Sequence, residues 1–182
     1  SFSGSSNKRG KNHIMRRLSI AVMLLALPIA ASADWDIGIE SVAPLGDFED
    51  VAGGGGGLYV QRLHPLNDNL LLSSYLGAIS YGGIKALGVE IQWYGYPITI
   101  GGAYYLNGVD QPGLFIKANA GLLYKIGTVE FSGDKEEFTD TGYVISPGIG
   151  WNFGSANVTA DYNLGNDSWT WFAVKVAYRF GM

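Results

Sequence analysis

The stretch Phe172-Ala173-Val174-Lys175-Val176-Ala177-Tyr178-Arg179-Phe180 alternates strictly between two kinds of side chain. Phe172, Val174, Val176, Tyr178 and Phe180 are apolar or aromatic, and the residues between them are small or charged. A period of two is the mark of a β-strand whose faces meet different surroundings. The same pattern runs through Ala156–Leu164, where Val158, Tyr162 and Leu164 interleave with Asn157, Thr159, Asp161 and Asn163. It runs through Tyr143–Phe153, where Tyr143, Ile145, Pro147, Ile149, Trp151 and Phe153 interleave with Val144, Ser146, Gly148, Gly150 and Asn152. A soluble closed barrel turns its apolar face inward and a charged face to water. Here the second face is small and polar with a few isolated charges, which suits the narrow interior of an eight-stranded barrel. The apolar face, tipped with Tyr, Trp and Phe, suits lipid and its aromatic girdles.

Composition agrees. The 182 residues include 27 glycines, 24 aromatic residues and no cysteine, and only 15% are charged. Glycine-rich, charge-poor chains do not suit helices, where each interior glycine costs about 1 kcal/mol against alanine. The absence of cysteine excludes disulfide-stapled miniproteins, zinc ribbons and lipidated lipoproteins. A net charge of −4 offers no footprint for nucleic acid.

Residues Met15 to Ala33 read as a secretory signal. Arg16 and Arg17 form its basic start, Leu18 to Leu27 its apolar run, and Ala31-Ser32-Ala33 an A-x-A cleavage site. The apolar run is too short to span a bilayer, which takes about 20 residues. The expected organisation is a pre-sequence and signal over 1–33, cleaved after Ala33, and one β-barrel domain over 34–182. From Asp34 onward, seven basic residues face sixteen acids, a net of −9.

Strands are expected near 34–45, 56–64, 69–81, 92–106, 113–127, 141–153, 156–164 and 168–180. Short connections fall at 65–68, 107–112 and 154–155, and longer ones at 46–55, 82–91 and 128–140, with 165–167 on the same side as these. A membrane sheet must close, because backbone groups in hydrocarbon need partners. The expectation is an all-β, eight-stranded antiparallel up-and-down transmembrane barrel with the short turns in the periplasm. Residues 86–94 also alternate. Either 86–106 is one long strand bent at Pro97 that rises beyond the membrane, or 86–94 belongs to an outside loop.

The run Ile98-Thr99-Ile100-Gly101-Gly102-Ala103-Tyr104-Tyr105-Leu106-Asn107, followed by Gly113-Leu114-Phe115-Ile116-Lys117-Ala118-Asn119-Ala120-Gly121, resembles the small outer-membrane β-barrel family of OmpX-like and OmpA-transmembrane-like proteins. Tyr143–Phe153 and the last strand fit the same pattern, so the resemblance covers most of 34–182. It implies an eight-stranded barrel in the outer membrane of a Gram-negative-type bacterium, delivered by the barrel-assembly machinery. It implies no reaction. The family's terminal strand usually ends on an aromatic residue, whereas here Phe180 is followed by Gly181-Met182.

Candidate chemistry is sparse. His64 is the one histidine after the signal, beside Pro65, with Asp68, Ser73 and Ser74 nearby in sequence. A turn histidine at the interface is the favoured reading, and no catalytic residue, cofactor or metal site is expected. Gly53–Gly57 lacks the lysine and helix of a phosphate loop and reads as a flexible loop and strand entry. The acids of 47–50 and 134–140 read as solvated loops, since calcium needs 6–8 convergent oxygens. Lys117, Lys125, Lys175 and Arg179 share the inward parity of Asp36, Glu40 and Asp161, which predicts an interior charge network that fills the barrel. Lys175 and Asp161 are expected to pair. Phe172, Val174, Val176, Tyr178 and Phe180 mark the strand that closes the barrel.

The favoured function is a non-enzymatic, monomeric cell-envelope barrel with a filled lumen. It meets outer-membrane lipid and lipopolysaccharide, and presents loops for envelope integrity or surface interaction. The alternatives are a porin-like small ion or solute channel, and a soluble periplasmic barrel that binds an apolar ligand.

Overall fold

Alternation assigns each strand one face for an interior and one for the surroundings, and eight strands pair so that this interior is enclosed. The computed structural model describes residues 34–86, 89–131 and 134–181. The signal reading, with Ala31 and Ala33, lies outside them. The strands are β1 (Asp34–Leu45), β2 (Gly53–Pro65), β3 (Leu70–Ala86), β4 (Val89–Tyr105), β5 (Gly113–Phe131), β6 (Asp134–Asn152), β7 (Ala156–Gly165) and β8 (Thr170–Phe180). Each is antiparallel to the next, and β8 returns to β1 in a continuous register from Trp35↔Phe180 to Leu45↔Thr170. Closure removes the sheet edges that would otherwise expose unpaired backbone groups. The end that carries Asp34 and Phe180 is the terminal end; the opposite one is the far end.

The outward face is apolar over its whole middle. Ile39 and Leu58, partners across β1 and β2, are 61% and 66% exposed. Scattered exposed leucines are ordinary, but a continuous apolar surface is not. Rings border this band at both levels. Trp151–Phe153 and Tyr178–Phe180 pair towards the terminal end, and Tyr96–Tyr124 towards the far end. Val176 sits midway along it, opposite Ile39 and Val158. Val176→Arg is expected to lower refolding stability in bilayers by about 2–4 kcal/mol, seen as a lower urea midpoint. An unchanged midpoint would place this face away from lipid.

Strand length departs from the sequence reading in one region. About 9–11 residues cross a bilayer, and β1, β7 and β8 have 12, 10 and 11. β3 and β4 have 17 each, and β5 and β6 have 19 each. The excess carries a four-stranded sheet beyond the far end, by up to about 25 Å at the usual rise per residue. Residues 82–86 and 89–91, and 128–131 and 134–140, are therefore strand where long loops were expected. The reason is physical. Residues 134–140 are exposed throughout, so they bury no apolar face and show no period. Their conformation comes from pairing with β5 along the whole extension, with Glu130 opposite Lys135. Residues 89–105 form one strand through Pro97, the long-strand alternative. Gly53–Gly57 is likewise strand rather than loop.

Candidate functional site

The inward positions stack into layers, because residues of one parity on all eight strands meet inside. At the terminal end, Leu63, Leu71, Ala103, Tyr105, Val109 and Phe115 form an apolar cluster. Val109 comes from the β4–β5 turn. Asn152 holds that turn in place, its Nδ2 donating to the carbonyls of Val109 and Gln111 at 3.1 Å each.

Beside this cluster Arg179 grips Asp36. Its Nε lies 3.0 Å from Oδ1 and its Nη2 3.4 Å from Oδ2. The same Nη2 donates to Tyr105 Oη at 3.1 Å, and Asn157 Nδ2 donates to Asp36 Oδ2 at 2.9 Å. Two-pronged guanidinium–carboxylate pairing fixes orientation as well as charge.

The middle layer is a chain of charges. Asp161 Oδ2 lies 2.9 Å from Lys117 Nζ and 3.2 Å from Lys175 Nζ. Lys175 Nζ also lies 3.3 Å from Glu40 Oε2, and Tyr75 Oη donates to Glu40 Oε1 at 2.8 Å. Lys175 stands 4.1 Å from the centre of the Tyr75 ring and 5.3 Å from that of Tyr59, so both ring faces add to its stabilisation. All four ionic side chains are buried, Asp161 completely. Gly148 makes room for them: a Cβ there would collide with Asp161 Oδ1 and reach within 3.1 Å of Lys117 Cε. Counting Arg179 and Asp36, three carboxylates meet three cations, and these two layers together carry no net charge.

The seven charges predicted for the lumen all turn inward, but they form three groups rather than one network. Arg179 and Asp36 are one, and Lys117, Asp161, Lys175 and Glu40 the second. Lys125 stands apart at the far mouth, 2.5 Å from Asp140 and 3.5 Å from Asp167. Neither partner was in the predicted set, because both were assigned to loops. The Lys125 ammonium and the Thr141 backbone N–H hold the Asp140 carboxyl below the usual carboxylate range. Tyr75, Tyr105 and Asn157 were also missed, although their strand parity marks them as inward.

Between the charged layer and the far mouth lie polar pairs. Ser73 Oγ donates to Asn119 Oδ1 at 3.2 Å, and Ser146 Oγ to Asn163 Oδ1 at 2.7 Å. Small cavities of about 10 Å³ flank the charged layer on both sides. Each is near the minimum that holds one water molecule. Above them Val42, Phe48, Ile79, Tyr81, Trp169 and Trp171 belong to an apolar cluster that closes the far end.

His64 and Ser73 are not brought together. His64 is opposite Leu72 in the ladder, so its ring and the Ser73 hydroxyl lie on opposite sides of the wall. Among the described residues no group of three or more His, Cys, Asp or Glu side chains converges as a metal site would. Asp47 accepts a hydrogen bond from Ser168, and Asp140 pairs with Lys125, so these acids engage side chains of the protein.

No protein-family model matches the sequence, and no curated protein matches it either. Solved structures do. Ail, the attachment invasion locus protein of Yersinia pestis, superposes with a TM-score of 0.64 at 14% identity, over 83% of this chain and 100% of that one. Neisserial surface protein A superposes with a TM-score of 0.53 at 13% identity, over 84% and 98%. The N-terminal β-barrel domain of Pseudomonas aeruginosa OprF gives 0.50 at 16%, over 81% and 97%. At such identities the likeness speaks for architecture. The described chain has the fold of the small, closed, eight-stranded outer-membrane β-barrels.

Proposed function

We propose that this chain is a non-enzymatic, monomeric integral protein of a Gram-negative-type outer membrane, inserted by the barrel-assembly machinery. The far end faces outward and the apolar band meets lipid and lipopolysaccharide. Two features support the membrane reading: the continuous exposed apolar face and a wall that β1–β8 pairing closes through the apolar band. A soluble barrel for an apolar ligand would need the reverse arrangement, with an apolar interior and a charged exterior.

The barrel acts as a scaffold for what it carries outside. Above the Val144↔Gly165 pair, β6 has ladder partners only on its β5 side. Residues 134–140 of β6 thus present an acidic, exposed surface, suited to envelope integrity or surface interaction.

The single observation that carries the scaffold reading over a channel is the neutral ion-pair layer held between two apolar clusters. A water column would have to displace the ion pairs of Lys117 with Asp161 and of Lys175 with Asp161 and Glu40. The refolded barrel in planar bilayers is therefore expected to be electrically silent or to show rare, small openings. Steady, ohmic conductance would replace the scaffold with a small ion or solute channel.

A further inference from the structure

Five consecutive glycines, Gly53 to Gly57, follow the loop L1 (residues 46–52), and packing accounts for only some of them. A Cβ on Gly55 would come within 2.8 Å of Tyr81 Cα, and one on Gly57 within 3.1 Å of Ile79 Cα. Gly53 and Gly54 have no such constraint, since the nearest atoms to a Cβ there lie 3.5 and 3.4 Å away. Neither has a positive φ. The β2–β3 register is irregular between Gly53 and Gly55. At the other end of L1, Gly46 has a φ of 60° and open space around it. L1 is thus bounded on both sides by residues of high backbone freedom, two of which the static structure does not require.

Between these glycines L1 dips into the far mouth. Phe48 and Ala52 are both 2% exposed. The Phe48 ring stacks on Trp169 at 4.1 Å and meets Tyr81 edge-on at 5.0 Å. Asp47 Oδ2 accepts a hydrogen bond from Ser168 Oγ at 3.0 Å. Trp169 and Ser168 belong to L4 (residues 166–169), where Asp167 and Ser168 hold φ values of 55° and 64°. That region disfavours residues with a Cβ. Lys125 fastens this turn. Its ammonium bridges Asp167 to Asp140 on β6 and lies 5.1 Å from the centre of the Trp169 ring. Beneath Phe48, Tyr81 Oη and Trp171 Nε1 are buried and have no hydrogen-bond partner among the described residues.

We propose that L1 and L4 form a hinged lid over the far mouth, with Phe48 as its stopper, Gly46 and Gly53–Gly54 as its hinges and Lys125 as its latch. Burial of Phe48 favours the shut state. Backbone freedom at the glycines, strain at Asp167 and Ser168, and solvation of Tyr81 Oη and Trp171 Nε1 favour the open one. The open state is a minor population of the folded barrel. The lid stands whether or not the lumen below it conducts.

The chain contains no cysteine, so a single introduced thiol reports alone. Ala52→Cys places it on the buried side of the lid, and Val51→Cys, at a position 39% exposed, is the open reference. In the refolded full-length barrel, a charged maleimide is expected to label Ala52→Cys about thirtyfold more slowly than Val51→Cys. Adding Lys125→Met should raise the Ala52→Cys rate about fivefold, and adding Gly53→Ala with Gly54→Ala should lower it about threefold. The second combination leaves the latch and the core untouched, so it remains decisive if Lys125→Met folds poorly. Equal labelling of the two thiols would mean that no lid exists. A slow Ala52→Cys rate that the hinge alanines leave unchanged, or that follows global unfolding in every variant, would make L1 a fixed plug and overturn the proposal.

Discussion

Deleting residues 172–182 is expected to abolish the folded barrel. The deletion removes nine of the eleven register pairs between β1 and β8, and seven of the nine between β7 and β8. It leaves β1 and β7 as open edges in the apolar band. There each unpaired backbone group costs several kcal/mol, with no water to take the partner's place. Lys175 and Arg179 go with the strand, which strands Glu40 and Asp36 in the interior. No partial sheet compensates for both losses, so the expected outcome is failure to assemble rather than a weaker barrel. Unboiled gels read this directly, since a closed barrel migrates apart from its heated form. A truncated chain that still inserts and shows that shift would mean that other strands close the sheet.

Lys175→Ala is expected to cost roughly 3–5 kcal/mol of refolding stability, the usual consequence of removing one member of a dry ion pair. The loss falls mainly on one partner. Asp161 keeps Lys117 at 2.9 Å, whereas Glu40 keeps only the hydroxyl of Tyr75. The unpaired charge is therefore Glu40, not the Asp161 that strand adjacency alone suggested. Lys175→Ala/Glu40→Gln should recover most of the loss, because the amide still accepts the Tyr75 hydrogen bond without a charge. Lys175→Ala/Asp161→Ala should recover less, because it also unpairs Lys117. Urea titrations of the four proteins in bilayers order these variants. A better rescue by Asp161→Ala would show that Lys175 serves chiefly Asp161 and that the chain of charges is not shared as described. Water that enters around the site would reduce every one of these costs without changing their order.

Period-two alternation over 156–164 and 172–180 settles two things by itself: the residues are strand, and one of their faces is apolar. The same parity turned Lys117, Lys175, Arg179, Asp36, Glu40 and Asp161 to one side of the wall. Side-chain direction in a strand follows from local geometry alone, so it is written in the sequence. Of the contacts among these charges, only the Lys175–Asp161 pair on consecutive strands was. Asp161 on β7 also meets Lys117 on β5, and Lys175 on β8 meets Glu40 on β1, because closure brings strands far apart in sequence within a few ångströms, and register across a closed sheet is a property of all eight strands together. The acidic extension of β6 was illegible for the opposite reason: it buries no face, leaves no period, and is held by main-chain bonds to β5 that any residue except proline can make. Phe48 and Lys125 complete the contrast. Nothing in the stretch Gly46-Asp47-Phe48 announces that its ring is buried, and Lys125 draws Asp140 and Asp167 from segments far apart in sequence. The sequence by itself determined which face each strand residue takes, because that is decided within two residues; the tertiary structure alone decided the partners on non-consecutive strands, strand length and the closure of the far mouth, because those depend on which strands stand side by side.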